Sequence, residues 1–281
     1  MRHSIIRIVS TLGACVLSTS WALAQEADQY RDDFLTDKFS VAVGAFFPDA
    51  KTAIRADAAD GTFGTTLSTE KDLNIGDSDA SLDISMLWRI SKKHRVELEY
   101  FNISQDGVKT LDANIRFGDS VFEEQFEIDS SLKTRVIRVG YGYSFVNDAR
   151  NEFGLHLGLH VTDIDAAVAV VGDGDGSGLR EAAGATAPLP VIGAHGSHRF
   201  GNRWVVYGRA QYFKLDVNDF DGDMIQYAVG IEHDTFERVS LGLAFKSFEI
   251  DIGIEKDDWL GNADFKYSGP TLYFRLGFGA L

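Results

Sequence analysis

Along most of this chain apolar and polar residues alternate with a period of two. Leu82/Ile84/Met86/Trp88/Ile90, Val96/Leu98/Tyr100 and Ile137/Val139/Tyr141/Tyr143/Phe145 each keep one parity. So do Phe153/Leu155/Leu157/Leu159/Val161, Ile225/Tyr227/Val229/Ile231, Val239/Leu241/Leu243/Phe245 and Leu272/Phe274/Leu276/Phe278. Successive side chains of a strand point to opposite faces, so each set covers one face of one strand. The pattern predicts ten strands, at 38–48 (with a continuation to 56), 80–91, 94–104, 131–146, 152–170, 188–200, 204–216, 224–234, 238–250 and 265–278.

The links between these strands alternate in length. Ser91–Lys93, Asn147–Asn151, Gly201–Arg203 and Asp234–Glu237 are tight and rich in Asn, Asp, Gly or Lys, whereas 57–79, 105–130, 171–187, 217–223 and 251–264 are longer. Strict alternation of short and long links is the signature of a closed up-and-down antiparallel barrel. The stretch Gly107 to Asp129 carries its own alternation and is read as a hairpin beyond the barrel; inserted into the wall, it would raise the count to twelve.

The opposite faces of the strands are polar and mixed in sign. They carry Asp83, Arg89, Glu97, Glu99, Arg138, His156, His160, Arg209, Gln211, Glu232, Lys246 and Arg275. An Arg or Lys facing lipid costs roughly 2–4 kcal/mol at the midplane, so these residues are assigned to the lumen and the apolar faces to the bilayer. A ten-stranded barrel is narrow, and interleaved charges of both signs predict a lumen filled by ion pairs. Trp88, Trp204 and Trp259 are read as belt residues at the membrane interface.

Composition narrows the classes. The net charge of -15 argues against nucleic acid as a partner, which would require a basic face. Beyond Ala24 no run of 18 apolar residues occurs, so no membrane helix is expected. Residues 1–24 read as a signal peptide: Arg2 and Arg7 ahead of an apolar run, then Ala22-Leu23-Ala24 as a small-x-small cleavage site. Leu12-Gly13-Ala14-Cys15 loosely imitates an acylation motif, but the apolar stretch before Cys15 is short and another continues beyond it. Cys15 is the single cysteine, so the mature chain has no disulfide or cysteine-based metal site. The division expected is a signal peptide at 1–24, a short periplasmic segment at 25–37 and the barrel at 38–281.

In the last strand, Tyr267 is followed by Gly269, then by Leu272 and Phe274 three and five residues after that glycine. This resembles the C-terminal β-signal by which outer-membrane barrels are recognised for assembly, with Phe278 standing near the end in place of a terminal aromatic. On pattern and signal together the chain resembles the outer-membrane β-barrel proteins of Gram-negative bacteria, similar to the small OmpA transmembrane barrels. Gly64–Leu67, Leu73–Gly76, Leu87-Trp88-Arg89 and Glu97–Phe101 are similar to a group of largely uncharacterised proteobacterial barrels. The resemblance implies outer-membrane lipid, lipopolysaccharide and the barrel-assembly machinery as partners.

Several short motifs carry candidate chemistry. Asp173, Asp175 and Ser177, with Glu181 at position nine, fit half of an EF-hand calcium loop, but position twelve is Gly184 rather than a bidentate glutamate. This makes a weakly bound calcium the one cofactor candidate, against a solvated Gly/Asp loop; Asp219, Asp221 and Asp223 form a second acidic cluster. His195 and Ser197 share a strand face and imitate the base–nucleophile pair of membrane lipid hydrolases, without a third group to orient the histidine. Asp163/Asp165 and His233/Asp234 imitate the spacings of outer-membrane aspartyl-type proteases, but the second pair falls at a short turn on the opposite side. His156 and His160 lie about 13 Å apart at ~3.3 Å per residue, too far to share a metal, and read as hydrogen-bonded lumen residues. The expected role is structural or surface-binding and non-enzymatic, with a narrow porin-like channel as the alternative and a lipid hydrolase third.

Overall fold

The computed structural model describes residues 35, 37–58, 62–75, 80–171, 179–217, 220–256 and 259–280. Its strands are β1 (Asp37–Phe46), β2 (Asp49–Ala56), β3 (Leu67–Ser68), β4 (Ser81–Arg89), β5 (His94–Thr110), β6 (Ile115–Phe117) and β7 (Ser120–Phe122). Then follow β8 (Glu127–Asn147), β9 (Asn151–Val170), β10 (Arg180–Phe200), β11 (Trp204–Val217), β12 (Phe220–Phe236), β13 (Val239–Lys256) and β14 (Trp259–Ala280).

Ten strands close a ring in the order β1-β4-β5-β8-β9-β10-β11-β12-β13-β14, sealed by the antiparallel β1–β14 ladder from Asp37↔Ala280 to Phe46↔Thr271. The predicted first strand is real but broken. β1 and β2 both lie along β14, interrupted at Phe47-Pro48, where the Phe47 N–H donates to Pro270 O. That kink presses on β14: a Cβ at Gly269 would sit 2.0 Å from Phe47 O, so only glycine fits there.

The short links at one end are tight. In the turn before β9, Asp148 accepts the N–H groups of Arg150 and Asn151 at 2.8 and 2.9 Å, which hold its carboxyl below the ordinary range. Exposed aromatics ring this end: Phe39, Trp88, Phe145, Phe153, Phe200, Trp204, Phe236 and Phe278.

Two stacked sections make up the wall; the same parity points inward in both, but the apolar residues pass from the outward parity to the inward one. In the lower section of β8, Ile137, Val139, Tyr141, Tyr143 and Phe145 face out while Arg138, Gly140, Gly142 and Ser144 face in. Above them the polarity of the two faces reverses: Ile128, Leu132 and Val136 are the inward residues, with Glu127, Asp129, Lys133 and Arg135 outside. β13 switches between Phe245, which faces out, and Phe248, which faces in with Ile250 and Ile252. β14 switches between Tyr267, inside with Ala263 and Phe265, and Leu272, outside with Phe274, Leu276 and Phe278. The outward apolar run of β8 covers about 26 Å along the strand at ~3.3 Å per residue. With a strand tilt of about 40° it forms a band on the order of 20 Å tall, matching a bilayer.

This corrects the expectation of a polar lumen throughout: only the membrane section has one. The outer section has a dry core in which Phe101, Ile103, Leu189, Phe213, Phe265 and Tyr267 are buried. Strands also run further than the alternation suggested, with β5 and β8 paired up to Thr110↔Glu127. The stretch at 107–129 adds no further strand to the ring; its two ends extend β5 and β8. Its tip forms the hairpin β6–β7, which folds over the barrel mouth and buries Phe117 and Phe122 completely. Gly118 N–H donates to Ala56 O and Thr65 N–H to Arg116 O, tying the hairpin to the chain around β2. Trp88 and Trp204 are exposed on the wall at the short-turn end, as belt residues are, while the side chain of Trp259 lies outside what is described.

Candidate functional site: the lumen of the membrane section

The strand registers bring the lumen charges together. Glu99 and Arg138 are direct partners across β5 and β8, and Arg95, Glu97 and Glu99 share the inward face of β5. Arg138 Nε donates to Glu99 Oε2 at 3.0 Å and its Nη2 to Glu97 Oε2 at 2.8 Å. From the opposite wall Arg209, on β11, reaches both carboxylates, and Lys246, on β13, bridges Glu99 (2.7 Å) and Asp83. The chain continues through Arg95, which contacts Glu97 at 2.6 Å and Glu152 at 3.2 Å, to Arg89, 2.6 Å from Glu152. A second group joins Arg275 to Glu232 (2.9 Å) and Asp37 (2.8 Å), with Tyr273 O–H donating to Glu232. Lower still, Arg199 lies 3.6 Å from Asp234.

Among the described residues the paired lumen cations Arg89, Arg95, Arg138, Arg199, Arg209, Lys246 and Arg275 are matched in number by Asp37, Asp83, Glu97, Glu99, Glu152, Glu232 and Asp234. Burying one such pair in isolation gains little, because desolvation offsets the attraction. A network differs: Glu97 and Glu99 each hold three cations, so one desolvated carboxylate serves several partners.

Above this network lies the apolar core of the outer section; below, Leu35 packs on Val205 beside the Arg199–Asp234 pair. Between them remains a cavity of about 170 Å³.

The histidine candidates also lie here. His195 and Ser197 both line this cavity, but the hydroxyl on His195 is that of Ser144, 3.2 Å from Nε2. Ser144 donates its proton to Glu152 at 2.7 Å, a carboxylate that also pairs with Arg89 and Arg95. The imidazole is therefore the donor to Ser144 and is not poised as its base. His160 Nε2 meets Gln211 Oε1 at 3.0 Å, whereas neither ring nitrogen of His156 has a partner among the described residues; it stacks on His195 instead. The expectation of hydrogen bonds holds for His160 and fails for His156. The register alone could not reveal that failure.

Elsewhere the motifs do not converge. Asp163 and Asp165 lie outside the barrel wall, both paired with Arg135, while His233 sits at the short-turn end against Trp204 at 4.6 Å. Asp173, Asp175, Ser177 and Asp219 lie outside the described residues. Glu181 is described, and its carboxylate accepts from Ser120 of the capping hairpin at 2.8 Å. Among the described residues no three carboxylate, imidazole or thiol groups are placed to hold a metal ion. In the last strand Tyr267 is buried and bonded to Thr134, while Leu272 and Phe274 face the bilayer. The signal peptide and most of the 25–37 segment lie outside the described residues.

No family model and no curated protein matches this chain. Among solved structures it is similar to the outer membrane protease OmpT from Escherichia coli, with a TM-score of 0.56 at 10% identity. That match covers 90% of this chain and 99% of that one. This is the architecture of an outer-membrane β-barrel. At such identity the likeness concerns the fold alone. Looser similarities are to Ail of Yersinia pestis (TM-score 0.35, 11% identity, 85% and 99% of the two chains) and to Neisserial surface protein A (0.32, 12%, 86% and 99%). The outer-membrane barrel crosses its bilayer many times with its ten strands, the longer of which carry the outer section beyond it.

Proposed function

We propose that this protein is a non-conducting, non-enzymatic outer-membrane barrel with a structural or surface-binding role. The observation that carries the reading is the double seal: an ion-paired lumen at membrane depth and a dry apolar core above it, capped by β6–β7. A porin-like channel would need a continuous wet path, and buried Phe101, Phe213 and Phe248 stand across it. On this reading the partners are outer-membrane lipid with lipopolysaccharide, and the barrel-assembly machinery during insertion, addressed through Tyr267, Gly269, Leu272 and Phe274.

Planar-bilayer recording of heat-modifiable, purified protein tests the proposal. The expected record is flat, and stable stepwise conductance would replace this reading with the channel. Incubation with outer-membrane lipids should release no fatty acid; release abolished by His195→Ala or Ser197→Ala would restore the hydrolase.

A further inference from the structure

The cavity in the membrane section is lined unevenly. Four of its five carboxylates are shared among several partners: Glu97 and Glu99 each hold three cations, Glu152 holds Arg89, Arg95 and Ser144, and Glu232 holds Arg275 and Tyr273, while Asp83 holds Lys246. The cations are less covered. The side chains of Arg209, Lys246 and Arg95 are 16%, 12% and 11% exposed, against 9% for Glu97, 6% for Asp83 and 2% for Glu99 and Glu152. Three hydroxyls, of Ser40, Ser85 and Ser197, line the same space without a protein partner among the described residues. The wall therefore presents more N–H and O–H groups than free acceptors. Its complement is a ligand made of acceptor oxygens.

We propose that the lumen cavity binds a small oxyanion of the phosphate or sulfate type. The guanidinium of Arg209 and the ammonium of Lys246 supply charge-assisted bonds from one side, and the hydroxyls of Ser85 and Ser197 donate from the walls around them. A cavity of about 170 Å³ holds such an ion together with several waters. Because the lumen charges already balance, recognition rests on these directed bonds rather than on a net field. The site lies inside the closed wall, so a lipid headgroup cannot reach it and a free ion is the ligand. The inference does not depend on the barrel being silent, and conductance does not decide it.

Isothermal titration of inorganic phosphate into the folded full-length barrel in detergent tests it. The expected result is saturable binding in the wild type. In the Ser85→Ala/Ser197→Ala variant the affinity should fall about tenfold, each lost hydroxyl bond being modest on its own, with heat-modifiable gel migration unchanged. Absence of saturable heat in the wild type, or equal affinity in the variant, overturns the proposal. Should the double variant fail to migrate as a folded barrel, Ser40→Ala is read by the same criterion.

Discussion

Glu99 is the residue on which the lumen network depends most. Its carboxylate accepts from Arg138 Nε at 3.0 Å, from Lys246 Nζ at 2.7 Å and from Arg209, tying β5 to β8, β11 and β13. Glu99→Gln keeps the shape and removes the charge. The amide also turns an NH₂ toward cations that have just lost an acceptor. Leaving a buried ion without its partner costs about 3–5 kcal/mol. Here Arg138 and Arg209 retain Glu97 and Lys246 retains Asp83, so the lower end applies. A loss of about 3 kcal/mol is a more than hundred-fold shift toward the unfolded state. Glutamine is the right substitution because a well-packed apolar residue could be neutral, as replacements of buried ion pairs often are.

The assay is equilibrium denaturant unfolding in lipid vesicles, read by tryptophan fluorescence and by heat-modifiable gel migration. Glu249→Gln serves as the control. It breaks the exposed 3.0 Å pair with Lys266 on the outer wall, worth about 0–1 kcal/mol. If Glu99→Gln moves the midpoint no further than Glu249→Gln, the lumen network contributes nothing to stability and the reasoning fails.

Other consequences are separable. Leu243→Arg, on the lipid face, should cost about 2–4 kcal/mol, whereas Asp251→Arg, on the same parity of β13 but above the switch, should carry no such penalty in the same vesicles. Phe122→Ala should loosen the capping hairpin more than the barrel, read as faster tryptic cleavage after Arg116 with an unchanged unfolding midpoint. Asp251 and Asp264 face each other across β13 and β14, and both carboxyls are pushed up. Partial burial leads in each case, followed by Asp264 for the first and Glu249 for the second. A raised folded pKa means these groups bind protons more tightly when folded. Their unfavourable contribution is absent in acid and grows as pH rises through and just above the ordinary carboxylate range. Asp251→Asn should therefore stabilise the barrel at neutral pH, with the gain vanishing in acid; a gain constant with pH would contradict this sign.

Much of the architecture was legible because lipid enforces a strict rule. A wall residue facing hydrocarbon is apolar, so Leu82 to Ile90 and Leu272 to Phe278 report their faces without knowledge of any partner. The lumen charges were legible by the same exclusion. The outer section was not, although its signal is present: in β9 the apolar parity passes from Leu155/Leu157/Leu159 to Ile164/Ala166/Val168. Reading one parity per strand discards that second set as loop. Side-chain pairing was invisible for a different reason. That Arg209 crosses the lumen to Glu97, and that Ser144 rather than Ser197 meets His195, depends on barrel closure and on long-range register, which no local spacing encodes.

The phase switch has a physical logic that ties the two sections together. A strand slipped by one residue exchanges its two faces, and the penalty for that exchange sets the register. In the bilayer an apolar interior would make both faces alike, and slippage would go unpunished. Arg138 and Glu99 in the lumen restore the difference, because a slip would place both in hydrocarbon. Above the membrane water supplies the contrast, and there Phe248 and Ile250 can occupy the interior while Glu249 and Asp251 face solvent. Each section is thus filled with whatever its surroundings are not. A strand out of register pays twice, once in lipid and once in water. The same logic makes the two seals independent: neutralising Glu99 should weaken the lower one while the apolar core above still blocks ions, so Glu99→Gln should remain silent in a planar bilayer even as it loses stability. Conductance appearing in that single variant would mean the outer core does not close the lumen.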